Sequence, residues 1–266
     1  MKKKIAFYAL LGLVVVLSCS KDSDDSPPSN GNVDKTANLQ VTGSSANDIL
    51  SNTNFDKLVF EIVYVDGFRP TTTAITNFET FIRERTFKTD IEFSYRSLAS
   101  PNEESLTTEE VDDIEQENRT AYNDGTTLAV YIYFADAPSD GDDLDEGLVT
   151  LGAVYRNTSM VIYESTIRDL ASRSNIISVS DVESSTLNHE FAHLMGLVDL
   201  GTELVNDHED PEAENHCNVS GCLMRAELQF GGPTMKLLEK NVSKGAAVIP
   251  VLDDECILDL QNNGGR

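Results

Sequence analysis

The chain has 266 residues, and a hydrophobic share of 40% is enough for a real core, so one catalytic-sized domain with an extension is expected. Its formal net charge is −25, from 20 Lys and Arg against 45 Asp and Glu. Such a polyanion repels phosphate backbones and anionic lipid heads, which excludes nucleic acid as a partner.

Residues 1–18 read as a targeting segment outside the fold. Lys2, Lys3 and Lys4 form a positive start, and Ile5 to Leu17 is an apolar run too short to span a bilayer comfortably. Val16-Leu17-Ser18-Cys19 then resembles a bacterial lipobox, which implies a lipid on Cys19 and attachment to a membrane through that lipid. The acidic Ser-Lys-Asp-Ser-Asp-Asp that follows resembles a surface-export tag. The expected location is therefore the outer membrane or cell surface of a Gram-negative bacterium. Residues 19–54 are rich in Ser, Asp, Asn, Pro and Gly and read as a disordered tether, which leaves 55–266 as the folded domain.

From Asp56 the pattern changes. Lys57–Val65 is a strand, Thr72–Arg85 a helix with Ile75, Phe78, Phe81 and Ile82 on one face, and Ile91–Tyr95 a strand. Leu106–Tyr122 reads as a helix capped at Thr107 or Thr108, and Leu128–Phe134 as the central strand. Strand–helix–strand–helix–strand predicts a mostly parallel sheet with right-handed crossovers. Leu148–Tyr155 and Met160–Tyr163 form a hairpin turning at Asn157-Thr158, with one strand at the sheet edge. The loop from Asp136 to Gly147 holds five Asp and one Glu, a composition that suits Ca²⁺, although its spacing is not that of an EF-hand.

His189-Glu190-Phe191-Ala192-His193 carries the chemistry. Histidines four apart share one face of a helix and can bind one metal ion, for which imidazole predicts Zn²⁺. Glu190, about 100° around the helix, is placed as general base toward a water activated by that metal. Leu187, Phe191 and Leu194 lie on the opposite stripe. Ser180 with Glu183 is read as a capping box, and Gly196 as a left-handed end to the helix. All four histidines fall between 189 and 216, where filler residues would scatter.

His189 to Gly196 resembles the active-site helix of metzincin metallopeptidases within the zincins. That resemblance implies an α+β, zincin-like fold with a mostly parallel twisted sheet, an antiparallel edge strand, an active-site helix and a Met-turn. It also implies a zinc endopeptidase acting on protein or peptide substrates; a monomer is expected. The third zinc ligand stays open among three residues. Asp199 occupies the usual third-ligand position, as in the snapalysin group. His216-Cys217, followed by Cys222-Leu223-Met224, resembles the archaemetzincin string and is favoured; it makes His216 the ligand and Met224 the Met of the Met-turn. His208 lies in the loop inserted between them.

Cys217 and Cys222 enclose four residues and could form a disulfide, or one of them could pair with Cys256. Archaemetzincins carry a second metal on such cysteines, but their downstream Cys-x-x-Cys pair is missing here, so none is expected. The competing function is a non-catalytic surface lipoprotein, a binding or adhesion module that keeps the fold; Glu190 is the residue that separates the two.

Overall fold

A computed structural model describes residues 34–143 and 148–266. The targeting segment, the proposed lipidation site Cys19 and the first part of the tether lie outside the described residues, as do residues 144–147 of the acidic loop.

The domain starts earlier than the composition suggests. Residues 34–54 pack onto the sheet domain, and a short helix, α1 (Ala46–Leu50), inserts Ile49 and Leu50 fully into the core. Buried Asn38 donates to the Ala129 carbonyl at 3.1 Å and to Thr158 Oγ1 at 2.9 Å, while Asn157 Nδ2 donates to Ser45 Oγ at 2.8 Å. The boundary at 55 is therefore corrected. A few apolar side chains in a polar stretch suffice when each lands in the core and the buried amides are hydrogen-bonded.

The sheet strands follow: β1 (Lys57–Val65), β2 (Asp90–Leu98), β3 (Thr127–Phe134), β4 (Gly152–Arg156) and β5 (Ser159–Ile162). Between the first three stand α2 (Thr72–Arg85) and α3 (Thr108–Asn118). The order is β2-β1-β3-β5-β4, parallel except for the β4–β5 pair, so the sheet is mostly parallel with an antiparallel edge. β3 is central, and buried along nearly its whole length, as expected of a run with apolar residues on both faces. Thr71 caps α2, and Thr107 with Glu110 forms a capping box on α3.

α4 (Glu164–Ser172) and α5 (Val179–Leu194) complete one face. Phe191 of α5 packs against Phe60 of β1 at 5.6 Å and edge-on to Phe78 of α2 at 5.2 Å between ring centroids. The other face holds a smaller cluster, in which Val63, Tyr131 and Val161 meet Leu106 and Val111. After α5 come a small ribbon, β6 (Glu209–Asp210) and β7 (Ala213–Cys217), then α6 (Gly231–Ser243) and α7 (Asp254–Asn262). α6 opens on Gly231, Gly232 and Pro233, residues with low helix propensity. Those residues occupy the first turn, where the missing proline N–H is tolerated. Among the described residues no helix is long and apolar enough to cross a membrane.

Candidate metal centre

α5 is buried from Val182 to Leu194 on every side, so any polar group on it needs a partner or a purpose. Its cap is Ser178 with Asp181, which corrects the expected Ser180–Glu183 box. Glu183 is instead buried and accepts from the Thr71 N–H at 3.0 Å, tying α5 to the start of α2. The helix ends as expected: Gly196 has φ 78°, and a Cβ there would lie 2.8 Å from the Thr202 nitrogen.

His189, His193 and His216 come together, each offering a ring nitrogen within 4.8 Å of the others. His189 Nδ1 lies 2.8 Å from the Leu223 carbonyl, and His216 Nδ1 lies 2.8 Å from the Glu214 carbonyl. A carbonyl only accepts, so both Nδ1 atoms carry the proton and both Nε2 atoms turn a lone pair inward. His193 Nε2 is 3.2 Å from His189 Nε2. Two nitrogens bound to one tetrahedral zinc at about 2.0–2.1 Å would lie about 3.3 Å apart. Burial, joined by mutual repulsion, holds the pKa of His193 well below the usual range and that of His189 at about 4. Burial also lowers His216. The rings are therefore neutral, the form that ligates a metal.

Beside them stands Glu190, only 2% exposed. Its Oε1 and the His216 Nε2 are buried with no hydrogen-bond partner among the described residues. Burial pushes the Glu190 carboxyl up to about 8, and a divalent cation held next to it would favour the ionised form. Ring nitrogens of three buried histidines within 4.8 Å of one another, His216 Nε2 having no other partner, fit a metal of the zinc type with nitrogen ligands.

The other candidates sort cleanly. Asp199 is exposed, with a left-handed backbone at φ 62°, and does not join the three rings. His208 is buried elsewhere: Nε2 lies 2.7 Å from Asp259 Oδ2, and Nδ1 3.3 Å from Cys217 Sγ. Met224 is fully buried and follows Leu223, the residue whose carbonyl orients His189.

Cys217, Cys222 and Cys256 are free and buried, so neither the possible Cys217–Cys222 disulfide nor the alternative pairing with Cys256 is formed. Their sulfurs instead gather with the Asp253 carboxylate, four donor atoms within 4.8 Å of one another. Cys222 Sγ is 3.6 Å from Cys256 Sγ, and Cys217 Sγ donates to Asp253 Oδ2 at 3.0 Å. A second metal is not expected from the cysteines alone, yet these four donors form a candidate ligand group for one. Asp253-Asp-Glu-Cys256 places a carboxylate and a thiol at the cap and in the first turn of α7, the spacing of a Cys-x-x-Cys pair with Asp in its first position. Three thiols and a carboxylate suit a closed tetrahedral zinc site.

The acidic loop gives no support to calcium: among the described residues its carboxylates do not gather into a ligand group. Asp142 is engaged, accepting from the Thr150 N–H at 2.7 Å. A cavity of about 450 Å³ lies beside α4 and α6, lined by Val149, Leu170 and Gly232, away from the three rings.

No protein-family model matches the sequence, and no curated protein matches it. Solved structures similar in shape include two metallopeptidases. Archaemetzincin from Methanopyrus kandleri aligns at 15% identity with a TM-score of 0.48, over 78% of this chain and 96% of that one. Metalloproteinase-II from Bacteroides fragilis aligns at 13% with a TM-score of 0.39, over 82% of this chain and 60% of that one. At these identities and TM-scores neither likeness decides the chemistry, which rests on the side chains.

Proposed function

We propose that the chain is a zinc peptidase, with His189, His193 and His216 holding the metal and Glu190 as general base. The carrying observation is Glu190: a buried carboxylate with an unpartnered oxygen, beside three neutral imidazoles whose lone pairs converge. A bound zinc ion would supply an acidified water and a polarised substrate carbonyl. Leu223 and Glu214, through their carbonyls, fix the two rings in the ligating tautomer. Glu190 accepts the proton of the attacking water and returns it to the leaving nitrogen. Its ring-adjacent place on α5 keeps it near the reacting atoms without making it a ligand. The lipobox-like run ending at Cys19 supports a further reading, that this activity is held at the cell envelope by a lipid.

The burial of the site favours the second reading, a non-catalytic module that keeps its metal. Glu190→Gln separates the two. The enzyme reading expects zinc retained by elemental analysis and cleavage of long peptides with free ends reduced by about 10²–10⁴-fold. Unchanged cleavage, or none in the parent protein, removes it.

A further inference from the structure

An extended peptide docks on a sheet by pairing with free backbone groups of an edge strand. β4 is that edge, and Leu148–Tyr155 reads from sequence as one open strand. In the structure it is divided. Gly152, the first residue of β4, lies against Glu190: a Cβ there would sit 2.7 Å from Glu190 Cγ. Immediately before it, the edge already has a partner. The Leu151 N–H donates to the Gln229 carbonyl at 3.1 Å, the Gly231 N–H donates to the Val149 carbonyl at 2.7 Å, and Thr150 and Phe230 form an antiparallel bridge.

This partner is anchored. Gly231 is buried and opens α6, and a Cβ on it would collide with Leu170 Cδ1 and approach Val149 Cγ2 to 2.8 Å. Leu228 before it and Thr234 after it are buried, and α6 packs against α4 and α5. Beyond Gly152 the situation reverses. Among the described residues no hydrogen bond from outside the sheet reaches the backbone of 153–155. The next contact is the Arg156 carbonyl, which accepts from Thr42 Oγ1 at 3.5 Å.

We propose that the Gln229–Gly231 segment is a fixed stop in the substrate groove, so that the enzyme trims residues from one end of a polypeptide instead of cutting within it. Strand residues advance by about 3.3 Å each, so the occupied stretch begins about one residue from the catalytic carboxylate. Three backbone positions remain for substrate on the open side, and a polypeptide continuing past the stop would have to displace a segment held by a whole helix. The proposal rests on the peptidase reading and adds the substrate class.

The test uses the zinc-loaded full chain and long synthetic peptides with free or capped ends (acetylated, amidated), with products followed by mass spectrometry. Hydrogen exchange at the Leu151 and Gly231 amides is measured alongside, and Glu190→Gln is the control for adventitious cleavage. Stepwise loss of one or two residues from one end is expected, slowed at least about tenfold when that end is capped, with both amides protected. Cleavage in the middle of a capped peptide, or exchange at the two amides as fast as in a free edge strand, overturns the stop alone. No cleavage of any peptide by zinc-loaded protein with both amides protected removes the peptidase reading and the trimming activity together.

Discussion

His216 and Cys217 are consecutive residues of β7, yet their side chains belong to two different clusters, the imidazole set and the thiol set. Alternation along a strand explains this, because neighbouring side chains point to opposite faces. One peptide unit therefore links the two candidate metal centres. The purified chain is expected to hold about two zinc ions, one in each centre. Cys256→Ser should lose about one of them by elemental analysis, lower the melting temperature, and weaken the affinity of the remaining ion by about 10–100-fold. Retention of both ions in Cys256→Ser, or tight binding of the remaining ion at parental affinity, counts against the linkage.

Stability should also depend on a carboxyl pair away from both centres. Glu164 and Glu183 are fully buried and face each other, Glu164 being held by Arg168 Nε at 2.6 Å and Glu183 by Thr71. Burial, then the neighbouring Glu183 charge, pushes Glu164 up to about 9. An unfolded glutamate releases its proton near pH 4.3, so the folded chain holds a proton that the unfolded chain has lost. The contribution is fully present below that range and declines as pH rises toward 9, by on the order of 1 kcal/mol per pH unit. Glu164→Gln, which cannot ionise, should flatten this slope in urea melts between pH 6 and pH 9. Parallel slopes for parent and variant would show that Glu164 does not hold its proton through this range.

Much of this was legible in the sequence where one local rule sufficed. The period of α2, the threonine caps, the turn at Gly196 and the His189–His193 pair each depend on residues within one element. What escaped depends on partners far apart in the chain. Asp253 and Cys256 become donors only when α7 is brought to β7, and the Val149–Leu151 edge is closed by residues about eighty positions away. His208 illustrates the same limit, since proximity in sequence to His216 does not say which cluster its ring enters.

The corrected start of the domain makes a clear prediction. Chains beginning at Asp34 and at Phe55 differ by a segment that contributes Ile49, Leu50 and the hydrogen-bonded Asn38. Burying two large aliphatic side chains is worth about 3–6 kcal/mol before the entropy of ordering the segment is subtracted. The shorter chain should therefore melt several degrees lower, or fail to fold, in thermal scans by circular dichroism. Equal melting temperatures would return residues 34–54 to the tether.

Gly152 offers the most local test of the role proposed for Glu190. The Cβ of alanine at this position would lie 2.7 Å from Glu190 Cγ, 3.0 Å from Thr186 Cγ2 and 3.1 Å from Glu190 Cδ. β4 is held by β5 on one side and cannot retreat freely, so the yielding group is the glutamate side chain. A displacement of about 1 Å in a positioned general base costs on the order of 10²-fold in rate. Gly152→Ala should therefore lower kcat far more than it lowers the melting temperature, with KM and zinc content near the parent values. A variant that loses zinc or unfolds before its kcat falls would mean that Gly152 serves the packing of α5 against the sheet, and that Glu190 has more room than its burial implies.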